Sequence, residues 1–69
     1  MNRNELNKLN KSQRKSLRDI FGGRRALSVT VDETINFVTI NFGVVTHFVL
    51  LGPRGAIQDH QYMSNRSLS

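Results

Sequence analysis

The segment from Ala26 to Ile57, ALSVTVDETINFVTINFGVVTHFVLLGPRGAI, constrains the fold of this chain more than any other, because 17 of its 32 residues are Ala, Val, Ile, Leu or Phe. Leu27, Val29 and Val31 alternate with Ala26, Ser28 and Thr30, the period-two signature of a half-buried strand. Ile35 to Asn41 and Val44 to Leu51 follow, rich in the β-branched and aromatic residues that suit a pleated surface. A single strand from Ile35 to Leu51 would be far beyond usual lengths. The run therefore divides, at Asp32-Glu33 and at Asn41-Phe42-Gly43, with the second reversal centred on Gly43, which adopts positive φ freely. The expectation is a three-stranded antiparallel meander.

Trial registers sort the side chains. With Asn41 and Val44 flanking the second turn, Phe37 opposes Phe48; with Asp32-Glu33 as a two-residue turn, Val29 opposes Asn36. One face then carries Leu27, Val29, Val31, Val38, Ile40, Val45, Val49 and Leu51, interrupted by Asn36 and His47. The other carries Ile35, Phe37, Phe48 and Leu50 among Ser28, Thr30, Thr39 and Thr46. A slip of one residue would exchange the faces. Either way the second and third strands are apolar on both sides, whereas an antiparallel sheet with one wet face alternates cleanly.

Cover for one face comes from the N-terminal segment. Leu6, Leu9, Gln13, Leu17, Ile20 and Phe21 recur at spacings of three and four, which predicts one amphipathic helix over about 3–21. Asn2 or Asn4 can cap its start, Asn2 with Glu5 resembling a capping box, and Gly22-Gly23 ends it. Beyond the strands, Gly52-Pro53-Arg54-Gly55 is a turn with Pro at its second position. Ala56 to Met63 reads equally as a short strand or as helix, and Ser64 to Ser69 as a mobile tail. The fold class is thus α+β in a single small domain: a basic helical segment over 1–25, a sheet core over 26–58 and a tail over 64–69.

A chain of 69 residues buries only about 60% of its unfolded surface and needs extra support. Without cysteine there is no disulfide or thiolate metal site, so self-association is the expected remedy. A homodimer or higher oligomer would cover the second sheet face, through Ile35, Phe37, Phe48 and Leu50. The longest uninterrupted apolar run, Phe48 to Leu51, is far short of the ~20 residues of a membrane span. No signal pattern opens the chain, so a soluble, cytoplasmic protein is expected.

Charge separates the two halves. Residues 1–25 hold eight Lys and Arg against Glu5 and Asp19, while residues 26–69 hold two against three carboxylates, within a net of +5. On a continuous helix Lys8, Lys11, Lys15 and Arg18 share one ridge, with Arg14 beside it and Arg24-Arg25 beyond. Like charges so placed repel one another unless an anion sits beside them, which points to phosphates. Ordinary solvation is the competing account, since Lys and Arg commonly coat small helices. No aromatic lies among these cations in the sequence, so base stacking from the helix is not expected.

Other constellations carry less. His47 mid-strand fits a packed residue better than a ligand. Asp59-His60 point opposite ways on a strand, and no serine in a Gly-flanked elbow accompanies either histidine. Asp32-Glu33 is ordinary turn chemistry, and Gly52-x-x-Gly55 lacks the length and Lys-Ser/Thr of a phosphate loop. No cofactor or metal is implied. The order helix, three strands, possible short helix resembles a double-stranded RNA-binding domain, but that family's loop histidine and terminal lysine cluster are missing. An N-terminal helix followed by bent strands is also similar to Sm-like RNA-binding rings, whose Gly and Asp/Asn strand pattern is absent from 26–51. No family is assigned.

The expected function is that of a small non-enzymatic nucleic-acid-binding protein, DNA or RNA. It would contact backbone phosphates through Lys8, Lys11, Arg14, Lys15, Arg18, Arg24, Arg25 and Arg54, as a homodimer. The alternative is a protein-interaction module that regulates or inhibits a larger protein through the exposed apolar sheet face. No membrane partner is expected.

Overall fold

The computed structural model describes residues 3–65. Two helices, α1 (Arg3–Leu6) and α2 (Lys11–Phe21), precede four strands, β1 (Ser28–Asp32), β2 (Phe37–Asn41), β3 (Val45–Leu51) and β4 (Ile57–Ser64). The strands form one antiparallel sheet in sequence order, β1-β2-β3-β4. The α+β class stands, with four strands rather than three. The segment that read as strand or helix is a strand of eight residues, and the sheet runs to Ser64 rather than ending near residue 58. Asn65, expected in the tail, is held at the sheet end, where its Nδ2 donates to Asn41 Oδ1 and Gly43 O. Residues 66–69, like the Asn2 proposed as a cap, lie outside the described residues.

The single helix expected over 3–21 is broken at 7–10. Asn10 takes an extended conformation and caps α2: its Oδ1 accepts from Gln13 N–H, and Gln13 Oε1 accepts from Asn10 N–H, both at 2.9 Å. This reciprocal pair satisfies two otherwise orphaned donors of the first turn. An internal capping box outcompetes continuation because three of the four residues before α2 are Asn or Lys and only Leu9 gains from burial. Gln13 is itself 2% exposed, and its Nε2 donates to Gly52 O at 3.0 Å. It is therefore a polar fastener, not a weak substitute for an apolar group.

The core lies between α2 and one sheet face. Leu9, Leu17 and Phe21 pack on Val29, Val31, Val38, Ile40, Val49 and Leu51, with Val38 and Val49 fully enclosed as a cross-strand pair. Burying side chains of this size contributes roughly 1.5–3 kcal/mol each. Both hairpin registers differ from the trial ones. Val29 pairs with Ile40, four positions from Asn36, because residues 33–36 form a four-residue turn: Asp32 Oδ1 accepts from Thr34 N–H and Asn36 takes φ 57°. Thr39 rather than Phe37 pairs with Phe48, because Phe42 and Val45, not Asn41 and Val44, flank the second turn. Gly43 takes the first central position there at φ 95°, and Val44 does not adopt positive φ. Leu27, expected within the first strand, lies outside it and is 73% exposed.

The two sheet edges differ. Glu5 covers β1 by accepting from Val31 N–H at 2.8 Å, whereas every residue of β4 is exposed. At the far end, the Gly52–Gly55 turn closes as its residues dictate, Gly55 N–H donating to Gly52 O. Gly55 is required: its φ is 90°, and a Cβ there would lie 2.6 Å from Ser12 O. Asn10 Nδ2 donates to Pro53 O, so this turn and the start of α2 are tied twice. Replacing Gln13 with Leu leaves Gly52 O and Asn10 N–H without these partners. It should cost about 1–3 kcal/mol, read as a lower urea midpoint at unchanged m-value. An unaltered midpoint would show that the tie does not stabilise the fold.

Candidate nucleic-acid interface

The inward face of α2 fixes where its cations stand. Gln13, Leu17 and Phe21 point to the sheet, so Lys11, Lys15 and Arg18 occupy the exposed opposite side. Lys8 does not continue their ridge: it lies in the turn before α2, 3.3 Å from the Glu5 carboxylate. Lys15 is 3.1 Å from Asp19. Arg14 is half-buried and its Nη1 donates to Leu9 O. Lys11, Arg18, Arg24, Arg25 and Arg54 are exposed and form no ion pair among the described residues. Arg54 rides on the turn that Asn10 holds through Pro53 O, so it stands at the N-terminal end of α2. Arg24 and Arg25 follow its C-terminal end. The cations thus extend along an 11-residue helix, about 16 Å of axis, and past both ends.

Arg14, Arg18 and Arg24 also line a groove of about 160 Å³ between α2 and the sheet, whose apolar walls include Leu6, Phe21 and Phe42. The Arg24 guanidinium sits 5.1 Å from the centroid of the Phe42 ring, a cation–π contact. Glu5 is held below its ordinary pKa, chiefly by the Val31 N–H it accepts and then by Lys8.

A group that sequence reasoning did not assemble adjoins Phe42. On the helix-side face of β3 and β4, His47 Nδ1 and His60 Nε2 approach to 2.9 Å, and Tyr62 is the cross-strand neighbour of His47. The Phe21 ring packs edge-on against His47 and His60, at centroid separations of 4.9 and 5.8 Å. Reading β4 as a strand would have revealed the cluster, since any hairpin closed at Gly52–Gly55 brings His47 near residues 60–62. Asp59 lies on the opposite face from His60, as alternation requires. Among the described residues no three His, Asp or Glu side chains gather as a metal site.

The outer face gathers three of the four residues expected at an interface. Phe37 and Phe48 stack at 6.2 Å with rings 16° apart, and Leu50 is the cross-strand partner of Phe37. All three are half-buried by their neighbours alone. Ile35 stands apart in the turn at 33–36, largely exposed. No helix among the described residues is long and apolar enough to cross a membrane. No protein-family model, curated protein or solved structure matches this chain.

His47 is held below its ordinary pKa, first by burial, then by the charges of His60 and Arg24. Its neutral form is therefore favoured in the folded state, and the unfolded chain binds the proton more readily. Stability should be full above about pH 6.5 and fall as pH drops through that value toward the lower folded-state pKa. Thermal melts between about pH 7.5 and pH 5.5 should show this decline, and His47→Gln should flatten it. A melt that rises on acidification would contradict the assignment.

Proposed function

We propose that this protein binds nucleic acid without catalysing a reaction, through backbone phosphates along the outward face of α2 and the arginines at its ends. The observation that supports this reading most is the sorting of charge. Lys11, Arg18, Arg24, Arg25 and Arg54 are exposed and make no ion pair among the described residues, and all lie on one helix or beside its ends. The half-buried Arg14 and the paired Lys8 and Lys15 add to the field. Such an array releases counterions on meeting phosphates and carries no base-specific donor pattern, so affinity would depend on salt more than on sequence.

The same reading makes the protein a homodimer. Phe37, Phe48 and Leu50 form an apolar patch on the face opposite α2, and nothing in the described residues covers it. A second copy placed there joins two cationic helices on opposite sides of one particle. The alternative rests on that patch too: a larger protein could take the place of the second copy, making the chain a regulator or inhibitor of its partner.

Fluorescence anisotropy with labelled DNA and RNA separates phosphate binding from solvation. With about four phosphates contacted, affinity should fall about a hundredfold between 50 and 200 mM salt. The double variant Lys11→Glu, Arg18→Glu should lose at least about tenfold at low salt and flatten the salt dependence. No binding at low salt would overturn the proposal. Sedimentation equilibrium tests the second half: the chain should weigh as a dimer and Phe48→Glu as a monomer. A monomeric parent would leave the patch to a different protein.

A further inference from the structure

Helix α2 ends before it covers the whole of its sheet face. Phe21 is its last residue, and β4 lies at the sheet edge with all eight residues exposed. Beside the end of α2 the fold has drawn together rings from β3, β4 and the turn before β3, of which Phe42 and His47 are half-buried and His60 and Tyr62 exposed. Phe42 and His47 have centroids 5.6 Å apart, His47 and Tyr62 5.6 Å, and His47 and His60 5.1 Å. Arg24 closes one end of this strip over Phe42, and Tyr62, 71% exposed, lies toward the other. The core does not need Tyr62, which adds exposed apolar area to an edge strand that already shows Ile57 and Met63.

Resting on the nucleic-acid reading above, we infer that the preferred ligand is single-stranded, with an unpaired base stacking on Tyr62 and the His47–His60 pair while Arg24, Arg25 and Arg18 hold the adjoining phosphates. Three physical points carry this. Base faces are hidden by stacking inside a duplex and become available only in a single strand, so exposed rings beside cations favour unpaired bases. The rings are held in place before binding: the imidazoles contact each other at 2.9 Å and the Phe21 ring packs edge-on against both. Ordering them on binding therefore costs little. Finally, every base presents a π-face, so the strip is tolerant of sequence, in keeping with a surface whose other contacts are to phosphates.

The chain contains one tyrosine and no tryptophan, so its intrinsic emission reports Tyr62 alone. Titrating the 69-residue chain with an oligothymidine of about 12 nucleotides should quench that emission, and a duplex presenting similar phosphates should quench it far less. Tyr62→Ala should weaken oligothymidine binding about tenfold, measured by anisotropy with a labelled strand, and leave duplex binding unchanged. Tyr62→Phe, which keeps the ring, should restore single-strand affinity. Salt-sensitive binding without quenching, or an unchanged affinity in Tyr62→Ala, would overturn this inference and leave phosphate binding standing. Absence of binding to either ligand at low salt would overturn both. The quenching arm uses the unaltered chain and does not depend on the variant folding.

Discussion

The structure depends on one buried amide. Gln13 accepts from the backbone of Asn10, donates to Gly52 O and sits beneath the first turn of α2 at 2% exposure. These contacts start the helix and fix it to the β3–β4 turn together. Asn10 Nδ2 on Pro53 O and Ser16 Oγ on Gly55 O run alongside. With the turn and the helix start joined, the rotation of α2 about its axis is set, and with it the side on which Lys11, Lys15 and Arg18 emerge. A polar group so enclosed is costly unless satisfied, and here both its functions are used.

The placement of a single helix on a four-stranded sheet has further consequences. Its apolar stripe spans Leu17 and Phe21 but not β4, so among the described residues no helix covers one strip of the helix-side face or the outer face. Those two uncovered regions differ chemically. The strip beside α2 has aromatic and imidazole rings with Arg24, whereas the outer face has Phe37, Phe48 and Leu50 among threonines. A cationic ligand would be repelled from the first. The second is where apolar cover would contribute most, because a chain this small has little core to spare. Glu5 covers part of the edge on the β1 side, whereas every residue of β4 is exposed.

Much of this architecture was legible in the residues, and the errors have identifiable causes. The partition of side chains between sheet faces holds although both trial registers were wrong. They were displaced by two and four positions, and only odd slips exchange faces. The strand count failed because β4 buries nothing: Ile57, Tyr62 and Met63 are exposed, so no alternation marks it. The break before α2 was visible as Asn10 followed three residues later by Gln13, a pattern outweighed by the longer run of leucines. The break in turn removes Lys8 from the ridge. The cations could be named from sequence, but not their pairing with Glu5 and Asp19, which depends on side-chain geometry. The aromatic strip was missed because Ala56 to Met63 reads equally as strand or helix, and only the strand places His60 and Tyr62 beside His47.

The central claim is that the two sides of this sheet have different occupants, nucleic acid on the helix side and a second copy on the other. Chemical-shift mapping by two-dimensional amide NMR, on titrating a short single strand into the labelled protein, tests it most directly. The account predicts perturbations along the exposed side of α2, at Arg24-Arg25 and around His60 and Tyr62, with Phe37 and Phe48 undisturbed. Perturbations centred on Phe37, Phe48 and Leu50 would contradict it.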